Sequence, residues 1–453
     1  MADTTADADT SILNADNLTK YKIAATISHK VLEEVAKWLA DGEKIVDLCI
    51  KGDALLDEEL SKGMLASATQ QQQRRQPGSL RPPGLARARL RHNAVYKGKS
   101  VNKGIATPCT ISPSSHVTPF TPLVSDAEEA ATTIKAGELI KIQLGAQIDG
   151  FGAIVGNTVV VPKEKGAKAD ITGREADLLL ATHYANELLL RLLVPPGLLA
   201  TGTEEEKKKA AAEKPPTQTK ISSLVDKIAK AYDVHVVQHT TSWLFEKNEI
   251  EGKKKIILSP ADGAKGEGSA EVGEVWGVEV GMSLGSGKVK ELDKRSTLLR
   301  RTTTTYGLKR PSSRQVLSEI VKKFGTFPFS LRQLDDERAG KVGVVECIRS
   351  GVLREYKPAA EADGSPVSRL FTTVGITKNG LVRLAAPPVL DLDAVKSDKK
   401  IEDEEILAIL ERPLAKSTGS KSKNKKKKKK PAKKAAAAAE EDDDDDEDDS
   451  DDE

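Results

Sequence analysis

The sequence predicts an α+β domain, and three observations lead to that class. Residues 138–161 hold two β-type runs around Asp149-Gly150, a pair with turn chemistry, and the first run alternates apolar and polar residues. Apolar residues recur at helical spacing on both sides of this hairpin, in 18–40 and 173–197. The order of helices, hairpin, long helices, strand, helix and strands suggests one domain built of two similar halves.

The individual elements follow from the same periodicities. The helix of 18–40 should end before Gly42, and that of 173–197 at Pro195-Pro196, because proline cannot continue a helix. In chain order, the predicted helices cover 18–40, 45–60, 173–197, 221–234 and 313–334. The predicted strands after the hairpin cover 254–260, 274–288, 341–348 and 369–385.

Four segments lack a globular pattern. The polar, acidic composition of residues 1–17 predicts a disordered leader. The charged composition of residues 199–220 predicts a linker. Residues 63–104 hold nine Lys or Arg, no acid and a glutamine run, which predicts a mobile basic insertion; an unremoved intron or gene-model error fits equally well. Residues 413–453 predict a disordered tail, with ten lysines between 421 and 434 and 13 acids in the last 14 residues.

Composition narrows the class of protein further. The 453 residues carry a net charge of only +2, because the charge is segregated into blocks of opposite sign. Cys49, Cys109 and Cys347 lie far apart without a CxxC pair, which favours a reducing compartment over a disulfide scaffold or zinc ribbon. Neither a signal peptide nor an apolar run of about 20 residues is present. We therefore expect a soluble protein of the cytosol or nucleus.

Six blocks of sequence occur in an order typical of a known family: "LTKYKIAATISHKVLEEVA", "CIKGDALLDEEL", "KIQLGAQIDGF", "EVWGVEVGMSLGSGK", "YGLKRPSSRQVLSEI" and "FPFSLRQLDDERAGKVGVVECI". From about residue 17 to 412 the chain resembles the proliferation-associated ErbB-binding protein family, which includes curved-DNA-binding proteins. That family resembles type 2 methionine aminopeptidases. The resemblance implies their pita-bread (creatinase/aminopeptidase-like) fold with pseudo-two-fold halves, over residues 18–412.

The resemblance also implies where a metal site would lie. The related peptidases hold two divalent metals with two Asp, one His and two Glu, oxygen and nitrogen ligands suited to activating a bridging water. Aligned by blocks, these five positions fall on Gln143, Ile154, Thr240 (next to His239), Glu279 and Phe371. The peptidases' substrate-contacting histidine falls on Pro119, three residues from His116. One carboxylate cannot hold a dinuclear centre, so we expect no catalytic residue, metal or cofactor.

Two other chemical motifs are weak. "GMSLGSGKV" is similar to a phosphate-binding loop, but the spacing is wrong and Val289 stands where Ser or Thr would bind magnesium; a glycine-rich strand exit fits better. His235 and His239 are four residues apart, yet "VHVVQH" is β-like and has no adjacent acid ligand. Structural histidines are therefore favoured over a metal site.

A basic stretch predicts binding to polyanions. Residues 288–323 carry eleven Lys or Arg against three acids, with Ser and Thr hydroxyls that can donate to phosphate oxygens. The alternatives are a solvated basic face and, for the lysine tail, a nuclear-localisation signal. The candidate contacts are Lys288, Lys290, Lys294, Arg295, Arg300, Arg301, Lys309, Arg310, Arg314, and in the tail Lys425, Lys426, Lys427, Lys428, Lys429 and Lys430.

These features together predict a non-catalytic aminopeptidase-like adaptor in nucleus and cytoplasm. The family resemblance implies partners in ribosomal RNA of the large subunit and in curved DNA, with roles in ribosome biogenesis, translation and growth. The acidic terminus offers a site for further protein partners. A DNA-associated transcriptional regulator and a residual metal-dependent methionine aminopeptidase stay open as alternatives.

Overall fold

The computed structural model describes residues 10–62, 93–96, 99–163, 171–260 and 264–416. The α-helices are α1 (Ala15–Trp38), α2 (Ile45–Lys62), α3 (Ala127–Ala130), α4 (Gly173–Leu192), α5 (Glu204–Ala211), α6 (Gln218–Ala231), α7 (Pro311–Lys323), α8 (Glu337–Arg349) and α9 (Glu404–Leu410), with a 3-10 turn at Leu331–Gln333.

The strands are equally numbered in chain order: β1 (Asn93–Tyr96), β2 (Lys99–Ser112), β3 (Leu139–Ile148), β4 (Phe151–Val160), β5 (Ile171–Thr172), β6 (His235–Val236), β7 (Thr241–Phe245), β8 (Lys255–Ile257), β9 (Val275–Ser283), β10 (Val289–Glu291), β11 (Leu298–Arg301), β12 (Phe329–Ser330), β13 (Leu353–Glu355), β14 (Ala359–Glu361), β15 (Val367–Thr377), β16 (Gly380–Ala385) and β17 (Val395–Lys396).

One large antiparallel sheet dominates the described residues. Its strands follow the order β1-β2-β3-β4-β15-β9-β7-β8, with β16 paired to β15 and β6 to β9. The long strand β15 pairs with β4 on one side and with β9 on the other. Because β4 and β9 are far apart in the chain, it is β15 that joins the two halves of the sheet.

Each half of the sheet carries a pair of helices on the same kind of apolar surface. Helices α1 and α2 pack on β2, β3 and β4 around Val31, Leu144 and Val155. In the other half, α4 packs on β9 and β15 around Leu188 and Val278, and α6 packs on α4 and β6. Burying these side chains is the main favourable contribution to folding. The α+β domain expected from the sequence, with two similar halves, is confirmed.

A smaller layer, the insert subdomain, comprises residues 296–356. Its strands β11 to β13 and helices α7 and α8 enclose a separate apolar core that includes Phe329 and Cys347. The Nη2 atom of Arg332 lies 2.5 Å from Asp53 Oδ2 on α2, and Asp53 Oδ1 accepts a hydrogen bond from the Cys109 amide at 2.7 Å. This buried pair ties the insert subdomain to the first half of the sheet.

The prediction of a strand at 341–348 is wrong, because that segment lies within α8. Its run of valines favours a strand by propensity, but its buried residues Gly340, Gly343, Val344 and Cys347 follow helical spacing. The Asp336 carboxylate also caps this helix by accepting from the amides of residues 338 and 339.

Several predicted segment boundaries also need correction. The leader does not extend to residue 17, since Ile12 is buried in the core and Asn14 caps α1. Strand β2 begins at Lys99, inside the predicted 63–104 insertion. Helix α5 and the start of α6 lie within the predicted 199–220 linker. The tail begins later than 413, because Leu414 accepts a hydrogen bond from the Leu381 amide.

The remaining parts of those predictions, residues 1–9, 63–92 and 417–453, lie outside the described residues. Within the described part, no helix is both long and apolar enough to cross a bilayer. The three cysteines are free and buried.

Candidate functional site

Four central strands bring the predicted metal positions into one row. Gln143 on β3 lies opposite Gly156 on β4, Gly156 lies opposite Phe371 on β15, and Phe371 lies opposite Glu279 on β9. Ile154 stands two residues from Gly156 and therefore on the same face of β4. Four positions that are far apart in sequence thus share one surface of the sheet.

That surface is the one turned away from the helix pairs. On β3, Ile142 and Leu144 belong to the helix-covered core, so Gln143 between them points to the other side. On β15, Val374 packs on the helix side, whereas Phe371 belongs to a cluster on the opposite side with Phe245. The alternation of side chains along each strand therefore separates the helix core from the candidate site.

The candidate site is a small cavity of about 90 Å³. Its lining includes Pro119, Gln143, Ile154, Trp243, Glu279 and Phe371. Ligand pockets for small molecules usually have volumes of about 300–1,000 Å³. The rings of Phe245 and Phe371 lie 6.3 Å apart, and Ile154 joins their apolar cluster, so side chains occupy much of the space in which a substrate would lie.

The remaining carboxylate of the row, Glu279, is paired with a cation from the chain itself. Its side chain is 12% exposed and forms a close ion pair with Arg369. Burial raises the pKa of the Glu279 carboxyl, and the Arg369 charge opposes that rise. The Arg369 guanidinium also donates to the Val117 carbonyl at 2.7 Å. This bond holds the ion pair against the segment that connects β2 to α3.

A second charged cluster forms the outer wall of the cavity around Glu251. Arg354 and the Tyr356 hydroxyl both donate to Glu251, at 2.7 and 2.9 Å, and burial raises the pKa of Tyr356. Arg300 lies 3.0 Å from Glu251 and donates to Glu249 at 2.7 Å, with a side chain only 9% exposed. The prediction that Arg300 contacts nucleic acid is therefore wrong: its charge is buried in a structural network.

This donor set does not fit a dinuclear metal centre. Two divalent ions require several carboxylates, because hard cations bind through charged oxygen ligands. Here the row offers an amide at Gln143, an alkyl group at Ile154, a phenyl ring at Phe371 and one carboxylate that already neutralises Arg369. Across the ranges that the structure describes, no three or more His, Cys, Asp or Glu are grouped so as to hold a metal ion.

The other predicted pocket residues do not all reach this cavity. Pro119 lines it, but Thr240 is buried elsewhere with its hydroxyl donating to the Val237 carbonyl. His239 is exposed at a turn with φ of 62°. His116 packs on Phe120, with ring centroids 4.9 Å apart, and burial with nearby Lys141 and Lys294 lowers its pKa to about 4.

Sequence reasoning missed Arg369, Trp243, Glu251 and Tyr356 as parts of the site. A signal existed for Arg369, because strand alternation places it on the same face as Phe371, two residues further on. No comparable signal existed for Glu251 and Tyr356, which are 105 residues apart and meet only through the insert subdomain.

The predicted basic residues spread over different surfaces. Lys290 donates to the Ala362 carbonyl and Lys294 lies 3.6 Å from Glu129. Arg314 donates to the carbonyls of Leu308 and Lys309, so part of its hydrogen-bonding capacity is used within the fold. The side chains of Lys288 and Arg295 are exposed and that of Arg301 is half-buried. The predicted lysines of 425–430 lie outside the described residues.

Lys309 and Arg310 are adjacent exposed residues of this basic set, immediately before α7. Their backbone amides donate to the Glu346 carboxylate at 2.7 and 3.0 Å, which leaves both side chains in solvent. Tyr306, three residues earlier, is 48% exposed. We call residues 302–310 the basic loop.

Comparison with known proteins agrees with this geometry. A curved DNA-binding protein of Schizosaccharomyces pombe is 35% identical over 421 residues, covering 92% of this chain and 95% of that protein. ErbB-3 binding protein 1 of Solanum tuberosum is 32% identical over 414 residues, covering 90% and 91%. A solved structure described as a thermophilic Arx1 matches with a TM-score of 0.79 and 58% identity over 88% of this chain and 99% of that one. No family model matches.

Fold and site define a pita-bread, aminopeptidase-like protein, as the sequence predicted. At lower identity, relatives are named probable metalloprotease arx1 of Schizosaccharomyces pombe (24%) and methionine aminopeptidase 2-2 of Colletotrichum graminicola (22%). Within this class, the chain belongs to the family of curved DNA-binding and ErbB-3-binding, proliferation-associated proteins.

Proposed function

We propose that this protein is a non-peptidase adaptor that binds structured RNA of the large ribosomal subunit and acts in ribosome biogenesis, translation and growth. The proposal that the protein is not a peptidase rests on one row of side chains, namely Gln143, Phe371 and Glu279, with Ile154 beside them. A peptidase of this fold would need charged ligands at these positions, and here the single remaining acid pairs with Arg369.

Metal analysis together with a methionyl-peptide assay tests this half. The purified full chain is incubated with cobalt, manganese or zinc, dialysed, and assayed for bound metal and for release of methionine. We expect substoichiometric metal and no turnover, and we expect Glu279→Gln to change neither result. Stoichiometric metal that disappears in Glu279→Gln, with turnover in the parent chain, would establish the residual aminopeptidase instead.

The binding half of the proposal rests on the basic loop. Exposed Lys309 and Arg310 can pair with phosphates, and exposed Tyr306 offers a ring on which an unpaired base can stack. The groove beside Lys294 and Arg295, of about 510 Å³, contributes less, because Glu291, Asp293 and Glu355 line it as well. The loop is therefore better suited to attract a polyanion than this groove.

Salt-dependent binding to structured RNA tests the loop. Removing one cation that pairs with a phosphate should reduce the slope of log K against log salt by about one. We therefore expect Lys309→Ala/Arg310→Ala to weaken binding and lower the slope by about two. The matched control, Lys208→Ala/Lys209→Ala, removes two exposed lysines of α5 and should leave the slope unchanged. Equal slopes for both variants would count against the loop.

A DNA-associated regulator is the second candidate, favoured by the name of the Schizosaccharomyces pombe relative, a curved DNA-binding protein. Crosslinking in cells followed by sequencing of the bound nucleic acid separates the two functions. Reads dominated by ribosomal RNA support the adaptor, and reads scattered over genomic DNA support the regulator. Loss of either signal in Lys309→Ala/Arg310→Ala would connect it to the basic loop.

A further inference from the structure

Four consecutive threonines, residues 302–305, form the first part of the basic loop. Thr302 anchors this tract, because its hydroxyl donates to the Gly351 carbonyl at 2.7 Å. Residues 303–307 are exposed and lie outside helices and strands. Leu308, which is 7% exposed, anchors the other end. The segment between the two anchors therefore presents its hydroxyl groups to solvent.

The residues before these hydroxyl groups are basic. A basic side chain three residues before a hydroxyl is the pattern that arginine-directed protein kinases recognise, because an acidic pocket of the kinase binds that side chain. Within residues 300–313 this spacing occurs four times. The hydroxyl residues are Thr303, Thr304, Ser312 and Ser313, which follow Arg300, Arg301, Lys309 and Arg310. The sequence pattern is the same at all four.

The structure separates three of these candidates from the fourth. Arg300 is paired with Glu249 and Glu251, and its side chain is only 9% exposed, so it is not available to a kinase pocket. Ser312 and Ser313 lie in the first turn of α7, where the helical backbone cannot lie extended in a kinase cleft. Ser313 is also fully buried. The acceptors that depend on these residues are therefore excluded.

Thr304 and Arg301 have the accessibility that the other pairs lack. The Thr304 side chain is exposed, and its backbone amide donates to Thr302 Oγ1 at 3.1 Å. The Arg301 side chain is half-buried, and in the described chain its guanidinium forms no hydrogen bond or ion pair. No described atom lies within 4 Å of the place where a Cβ on Gly307 would stand, so a partner can approach the loop from that side.

We propose that Thr304 is a phosphorylation site for an arginine-directed protein kinase that recognises Arg301, and that the phosphate weakens RNA binding by the basic loop. In the transfer, Thr304 Oγ1 attacks the γ-phosphorus of ATP, and the new O–P bond forms as the bond to ADP breaks. The hydroxyl proton passes to the catalytic carboxylate of the kinase. The regulatory half of this inference rests on the proposed function, whereas the modification site does not.

A phosphate on Thr304 would cancel the charge of the basic loop. Lys309 and Arg310 give residues 302–310 a charge of +2, because the loop holds no acid. A phosphothreonine adds about −1.5 to −2 at neutral pH. Tyr306 is two residues from Thr304, which is at most about 7 Å between Cα atoms. An RNA strand whose base stacks on Tyr306 would therefore meet a like charge beside the ring.

Mass spectrometry tests the site after treatment with the catalytic subunit of cAMP-dependent protein kinase. The folded full chain is incubated with kinase and ATP, and phosphate within residues 300–313 is located by fragmentation. We expect phosphate on Thr304, also in Thr303→Ala, and none in this segment of Thr304→Ala. A synthetic peptide of residues 297–313 is the control for the fold. It should accept phosphate at additional positions, because neither burial nor a helix restricts it.

Salt-dependent binding to structured RNA tests the effect of the phosphate. The phosphorylated full chain should bind at least tenfold more weakly than the unmodified chain at about 0.1 M salt. The slope of log K against log salt should fall by about two, as it should for Lys309→Ala/Arg310→Ala. Thr304→Ala treated with the same kinase should bind as it does before treatment, which controls for phosphate elsewhere in the chain.

The two halves of the inference fail in different ways. Phosphate on Thr303, Ser312 or Ser313 of the folded chain without phosphate on Thr304, or none in this segment, would overturn the modification site. An unchanged salt slope after full phosphorylation of Thr304, in a chain that Lys309→Ala/Arg310→Ala weakens, would overturn the regulation and leave the proposed function intact. No RNA binding by the unmodified chain would refute the proposed function and the regulation with it, while the mass spectrum still decides the site.

Discussion

Arg369→Met should destabilise the fold strongly, because it leaves the Glu279 carboxylate buried without a partner. The two side chains are 19% and 12% exposed, so solvent cannot replace the missing cation. Breaking one side of such a pair typically costs about 3–5 kcal/mol. The guanidinium also donates to the Val117 carbonyl at 2.7 Å, a bond worth about 1 kcal/mol. We expect a total loss of about 5 kcal/mol in the free energy of unfolding at neutral pH.

The loss should depend on pH in a defined direction. Burial raises the pKa of Glu279 in the folded chain, and without Arg369 nothing opposes that rise. A carboxyl with a raised folded pKa binds more protons in the folded state, so stability is greatest at low pH and falls as pH rises above the ordinary value of about 4.5. Arg369→Met should therefore be less destabilising at pH 5 than at pH 8.

Urea unfolding followed by tryptophan fluorescence measures both effects, since Trp243 lines the cavity and Trp276 is buried nearby. Glu279→Gln should cost less, about 2 kcal/mol, because Arg369 keeps its bond to Val117. The double variant Glu279→Leu/Arg369→Met should lie within about 1 kcal/mol of the parent chain. A single-variant loss below about 1 kcal/mol, or a larger loss at pH 5 than at pH 8, would refute this account of the pair.

Three further predictions concern other parts of the chain. Asp53→Asn should cost about 3 kcal/mol in urea unfolding, because Arg332 loses its buried partner, and Asp53→Leu/Arg332→Met should recover most of that loss; a double variant no better than the single would contradict this. His116, with a pKa lowered to about 4, binds more protons unfolded than folded between pH 4 and 6.5, so stability should fall by about 2 kcal/mol from pH 7 to 5. His116→Phe should abolish that part of the pH dependence, and an unchanged dependence would exclude it. Deleting residues 440–453 should raise RNA affinity at low salt if the acidic end competes for the lysines, as measured by filter binding, with equal affinities counting against competition.

Periodicity and block order were sufficient to predict the class of fold and much of the site. The alternation in β3 and β15 placed Gln143 and Phe371 on the pocket side, because side chains in a strand alternate by geometry alone. The replacement of metal ligands could be read residue by residue, since it depends on chemical identity and not on packing. Sequence reasoning failed where local preference and tertiary context disagree, as in the valine-rich segment that forms α8.

What the sequence determined by itself was the hairpin, the helix pairs and the loss of charged ligands at the row through Phe371. What only the tertiary structure decided was which charges meet. Arg369 with Glu279, Arg300 with Glu251 and Arg332 with Asp53 join residues between 49 and 279 positions apart, and long-range pairing of that kind leaves no periodic signal. The difference between the adjacent residues Arg300 and Arg301 likewise arises from packing, because contacts with Glu249 and Glu251 bury the first side chain, while the second has no ion pair among the described residues.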